Sequence, residues 1–244
     1  MEIFKNLKIS CLFFVMLIAV VACNKEESLN AETDVVFLKK KDNNNNTVYG
    51  VAYYLQANQG LNSATVTLPN GQVFALKQHE TSSYLFWHEP DNSEFSPSTP
   101  VAGNYIFKIE SKKGESLEII EEQKFDGLPF AEIEKWEFDN TKENKWLYVK
   151  WGSVLGADAY AVMLMQSSGK VIFNSIPIIG SDTNEFIMSE IHLLGTWSGT
   201  PVYNQKYILK INAIKYDNNT INYFDPYNVQ EVSETLRDIT WELN

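Results

Sequence analysis

Cysteine is almost missing from this chain: Cys11 and Cys23 are the only two in 244 residues. That excludes a disulfide framework and any cysteine-rich zinc site. Arginine is scarcer still, with Arg237 alone among 20 basic residues set against 31 acidic ones, for a net charge of −11. Nucleic-acid binding needs a positive stripe, and scattered lysines on an acidic chain do not supply one. Catalytic signatures are wanting too. Gly152-Ser153-Val154-Leu155-Gly156 has the wrong spacing for a nucleophile elbow, and neither a Walker loop nor a dinucleotide fingerprint occurs. What the chain does have is apolar material, 44% hydrophobic and 13% aromatic with 21% charged residues. That is enough for a sizeable core and too aromatic for a disordered protein.

The start of the chain reads as an address. Lys5 and Lys8 precede an apolar run from Ile9 to Ala22 broken only by Ser10. As a helix this run rises about 21 Å, short of the ~30 Å hydrocarbon core, so it fits a secretory signal over residues 1–22 better than a membrane span. Val20-Val21-Ala22-Cys23 resembles the lipobox of bacterial lipoproteins. The resemblance implies cleavage before Cys23 and lipidation of that cysteine, with the membrane as a partner through the lipid. Lys25, Glu26 and Glu27 then resemble the export tag of surface lipoproteins of Bacteroidota-type bacteria. The implied location is the outer membrane, lipid-anchored at the cell surface, with the periplasmic face as the alternative.

Residues 23–34 are polar and aperiodic, as a flexible tether would be. Lys39 to Asn46, three lysines followed by Asp42 and four asparagines, reads as a loop tip. Beyond it come short alternating segments between turn clusters. Val48 to Leu55 is rich in β-branched and aromatic residues. Ser63 to Leu68 turns at Pro69-Asn70-Gly71 into Val73 to Leu76, a hairpin. Tyr105, Phe107 and Ile109 share one face of a strand opened by Gly103. This spacing predicts an all-β fold, with a first antiparallel β-sandwich over residues 35–124. Its Gly-x-Tyr strand entry resembles immunoglobulin-like domains.

The second half, residues 130–244, predicts another sandwich. Leu147, Val149 and Trp151 share one strand face; Tyr160, Val162 and Leu164 share another; Tyr207, Leu209, Ile211 and Ala213 share a third. This ordered set resembles strands B, C and F of a fibronectin type III domain, a resemblance that implies core positions for Trp151 and Tyr207. The long segment Leu194 to Gln205 departs from that family, which puts the bond from the tyrosine hydroxyl to upstream backbone in question. A last strand falls within Val229 to Trp241.

No cofactor and no metal is expected. The pairs His79-Glu80 and His88-Glu89 point their members to opposite strand faces, and Glu190-x-His192 offers only two ligands. Asp217-Asn218-Asn219 and Asp42 to Asn46 carry calcium-like oxygens, but neither has EF-hand spacing, and both read as hairpin tips. Aromatics remain. Trp197, in Gly195-Thr196-Trp197-Ser198-Gly199, and Trp87 with His88, before a proline-rich loop, are the candidate ligand-binding residues. The competing reading of Trp197 is a plug folded over the end of the sandwich. The expected function is a lipid-anchored, non-catalytic surface protein that binds a glycan or a protein. One alternative is a structural or accessory subunit of an outer-membrane complex. Another is a hydrolase, which would need paired carboxylates across a cleft.

Overall fold

The computed structural model describes residues 27–139, 146–176, 178–179, 183–189, 194–217 and 227–243. The signal segment, Cys23, Lys25, Glu26, Glu190, His192, Asn218 and Asn219 lie outside the described residues. Every regular element among those described is a strand. The first half contains β1 (Ala31–Lys41), β2 (Thr47–Ala57), β3 (Leu61–Thr67), β4 (Val73–Ala75), β5 (Lys77–His79), β6 (Ser82–His88), β7 (Gly103–Ser111) and β8 (Ser116–Gln123). The second contains β9 (Ile133–Asp139), β10 (Trp146–Trp151), β11 (Ala159–Gln166), β12 (Val171–Ser175), β13 (Ile178–Ile179), β14 (Glu185–Ser189), β15 (Gly195–Trp197), β16 (Lys206–Tyr216) and β17 (Val229–Thr240).

Alternation along these strands builds two cores. In the first, Phe37, Tyr53, Leu55 and Phe86 from β1, β2 and β6 pack against Val66, Phe107 and Ile109 from the sheet β4-β3-β7-β8. In the second, Leu147, Val149 and Trp151 of β10 face Tyr160, Val162 and Leu164 of β11 and Leu209 and Ile211 of β16, all fully buried. Each half is therefore a sandwich of two sheets around one core, as the period-two pattern requires. The segments expected as B, C and F fall on β10, β11 and β16. The Pro69-Asn70-Gly71 hairpin pairs Thr67 with Val73 and Thr65 with Ala75, and Gly71 supplies the positive φ the turn needs.

The two sandwiches share a sheet. β1 of the first lies parallel to β17 of the second, with Phe37 opposite Glu231 and Lys39 opposite Ser233. The sheet consequently runs β15-β12-β11-β16-β17-β1-β2-β6-β5 without a break. The connecting segment is pinned beneath this seam. Buried Glu231 accepts the backbone N–H groups of Asp126, Gly127 and Leu128, and Ser233 donates its hydroxyl to Pro129 O.

β1 departs from the sequence expectation at both ends. It begins at Ala31, so the last four residues expected in the tether are paired with Tyr54 to Ala57. It also runs on to Lys41, so the loop tip shrinks to Asp42–Asn46, closed by Asp42 Oδ1 accepting from Asn44 N and Asn46 N at 2.9 and 2.8 Å. Lysines tolerate the strand because their stems pack while their tips find partners. Lys39 donates to Leu128 O at 2.8 Å, and Lys40 Nζ sits 3.5 Å from the centre of the Phe95 ring.

Both sandwiches carry a tyrosine bonded to upstream backbone. The Tyr105 hydroxyl donates to Val101 O, and the Tyr207 hydroxyl accepts from Val202 N, each at 2.8 Å. The long segment before Tyr207 thus doubles back far enough to keep the bond. Tyr207→Phe, which removes only the acceptor, is expected to cost about 1 kcal/mol, read as a lower midpoint in urea at unchanged slope.

Candidate functional site

The aromatics singled out from the sequence do not meet. Trp197 lies on β15 and Trp87 on β6, seven strand spacings apart in the shared sheet, or about 34 Å. Trp197 is half-buried as a cover on the second core. Its ring centre is 4.7 Å from that of Phe173 and 6.2 Å from that of Trp241, and Nε1 donates to Ser189 O at 2.9 Å. The close approach depends on Gly195, where a Cβ would stand 2.4 Å from the Phe173 ring. Trp87 is half-buried opposite Tyr54. His88 stacks near Tyr53 and Phe74, and its Nε2 is 3.1 Å from Glu94 Oε1.

A different feature spans the two halves. The outer face of the shared sheet, turned away from both cores, holds a groove of about 870 Å³ across β12, β11, β16, β17, β1 and β2. Several outward positions on the central strands are themselves apolar, interspersed with Lys40, Lys210, Asn212 and Glu234. Val36 and Leu38 of β1, Ile214 and Tyr216 of β16 and Val232 of β17 line its floor. Ala159, Ala161, Ile214 and Tyr216 form a third buried cluster there. One wall is the loop after β6, carrying Glu89, Pro90 and Phe95; Tyr227 also lines the groove, its hydroxyl donating to Gln56 Oε1 at 3.0 Å. Gly50 lets that loop lie down, since a Cβ there would be 2.9 Å from Pro90 and 3.0 Å from Phe95.

Charges in the groove are already engaged. Lys40 donates to Asn92 Oδ1 at 2.6 Å, Lys210 pairs with Glu234, and Glu89 accepts from the Tyr54 hydroxyl at 3.0 Å. Burial lowers the Lys40 ammonium below the usual lysine range. Sequence reading assigned none of these residues to a site. The available signal was a strand apolar on both faces, since Ile208, Ile214 and Tyr216 interrupt the polar side expected of β16.

Close to the seam, three carboxylates converge. One oxygen each from Asp34 of β1, Glu121 of β8 and Asp217 just after β16 lies within 4.8 Å of the others. Asp34 is fully buried. Its Oδ2 accepts from Val229 N at 3.2 Å, while Oδ1 has no hydrogen-bond partner. Glu121 Oε1 accepts from Val35 N at 3.0 Å, while Oε2 is buried without a partner. Burial, then the nearby Glu121 charge, pushes the Asp34 carboxyl up to about 9. Burial likewise pushes Glu121 up to about 7 and raises Asp217. In the sequence Asp217 reads as part of a hairpin tip, Glu121 as one of several acids on a short strand, and Asp34 as tether.

The pairing and the two cores define the class, a pair of β-sandwiches fused through one sheet. No family model and no curated protein matches the chain. Among solved structures it is similar to a tetra-tandem repeat in the extending region of a large adhesion protein. That alignment has a TM-score of 0.28 and 10% identity, over 86% of this chain and 49% of the other. The chain thus spans about half the length of that structure. It is also similar to the FN1–FN3 domains of chicken CNTN1, with a TM-score of 0.28 and 12% identity, over 89% of this chain and 67% of that one. Superpositions this loose carry no argument about activity.

Proposed function

We propose that the protein is a non-catalytic binding module, held at the outer face of the outer membrane by lipid on Cys23, and that the groove over the seam takes a glycan. The observation that supports this is the groove itself, of a size typical for small-ligand sites and placed where two domains meet. Its lining combines apolar side chains with tyrosine and asparagine, and its charged groups Lys40, Glu89, Lys210 and Glu234 each have a partner within the protein. Such a surface suits a neutral, hydroxyl-rich ligand with flat apolar faces better than an ion. Glu89 and Glu234 are engaged by Tyr54 and Lys210, which favours binding over hydrolysis.

The test is a panel of bacterial and host polysaccharides presented to the full mature chain. Tyr227→Ala is expected to weaken retention of the bound polysaccharide at least tenfold, since side chains that anchor a ligand are worth about 2 kcal/mol or more. Trp197→Ala is expected to leave retention unchanged. The reverse pattern would return the site to the Trp197 loop. Recovery of a stoichiometric membrane protein, with no polysaccharide retained, would favour an accessory subunit. Cys23→Ala is expected to release the chain from membranes, and protease treatment of whole cells reports which face it occupies.

A further inference from the structure

We propose that Asp34, Glu121 and Asp217 form a binding site for a divalent metal ion, of calcium type, that ties the two sandwiches together at their seam. Three acids alone would not make a site. The independent observation is that Asp34, wholly buried and one of the three, carries an Oδ1 without a hydrogen-bond partner, and that Glu121, a second member, carries a buried Oε2 without one. A buried polar atom normally has a partner, and a cation is the partner that would satisfy two such carboxylate oxygens at once. The ion pairs among the described residues engage other carboxylates than these three.

Donor chemistry selects the ion. All three ligands are carboxylate oxygens, which suit hard cations and not zinc or copper. Three protein carboxylates at one point suit calcium, which takes about six to eight oxygen ligands, better than magnesium, which keeps several of its waters. The three oxygens lie within 4.8 Å of one another, close enough to meet on one ion. The ligands also come from both halves: Asp34 and Glu121 from the first sandwich, Asp217 from the end of β16 in the second. A bound ion would add to the β1–β17 pairing a clamp sensitive to external calcium.

The experiment uses the full mature protein stripped with EDTA and titrated with CaCl2. At calcium a hundredfold above its dissociation constant, the melting temperature is expected to rise by about 5–10 °C. Terbium is the second probe. Tyr54, paired opposite Asp34, and Tyr216, adjacent to Asp217, are placed to sensitise its luminescence, and calcium should quench the signal by competition. Asp34→Asn is expected to raise the melting temperature of the metal-free protein while abolishing both responses. Asp217→Asn, at the half-buried strand end, serves if that variant fails to fold. Glu118→Gln, an exposed acid on the same strand as Glu121, should keep both. The proposal is overturned if about 5 mM calcium, above the range of extracellular calcium modules, leaves the melting temperature unmoved. It is equally overturned if Asp34→Asn and Asp217→Asn retain the terbium signal.

Discussion

Glu231→Ala is expected to lower the unfolding free energy by about 3–5 kcal/mol and to split one urea transition into two. Glu231 is 2% exposed on the seam strand, and its carboxylate is the shared acceptor for three consecutive linker N–H groups. Leu128 N donates at 2.8 Å and lies buried with its side chain in the second core. Truncation leaves these donors without an acceptor and opens a gap beneath the parallel pairing of Phe37 with Glu231. Water can reach the buried Leu128 N–H only if the linker lifts. Lifting would also strip Lys39 from Leu128 O and Ser233 from Pro129 O. The sandwiches should then unfold separately. Glu231→Gln, which keeps one acceptor oxygen, should cost less and preserve the single transition. An alanine variant with an unchanged midpoint would mean the linker bonds contribute nothing to coupling.

Trp151→Ala should be about as damaging, at about 4 kcal/mol, because it empties the largest fully buried side chain of the second core. The indole stacks 5.3 Å from the Tyr160 ring, whose hydroxyl accepts from Val154 N at 2.8 Å. The cavity therefore forms beside the turn that joins β10 to β11. Trp151→Phe is the informative companion. The Trp151 Nε1 donor is buried with no partner, so phenylalanine gives up an unsatisfied group along with part of the volume. Its cost should stay well under half that of alanine in the same urea titration. Equal costs would show that the N–H is satisfied in solution.

Much of this was legible in the chain because period-two alternation acts locally. Leu147, Val149 and Trp151 had to share a face wherever the strand lay, and burying that face fixed the register of β10 against β9 and β14. The groove and the carboxylate trio were not legible. The strand residues of the groove and Asp34 face outward, Asp217 follows a strand end and Glu121 lies on the inner face of β8, and they become neighbours only in the assembled fold. Val36 sits near Val232, and Asp34 near Asp217, through a parallel pairing that no local pattern announces. Lys39 to Lys41 misled for a related reason, since lysines read as solvated until a partner strand and aromatic rings give their stems a surface.

Sequence alone determined that this protein is built of strands, which side chains each strand buries, where the hairpins turn, and that two separate cores would form. Those outcomes follow from backbone geometry and from the cost of leaving apolar side chains in water, both of which act over a few residues. Tertiary structure decided that the two cores share one sheet, that Trp197 covers a core, and that acids far apart in the chain converge. Those depend on which strand edges find each other, and backbone hydrogen bonds between edges carry no record of side-chain identity.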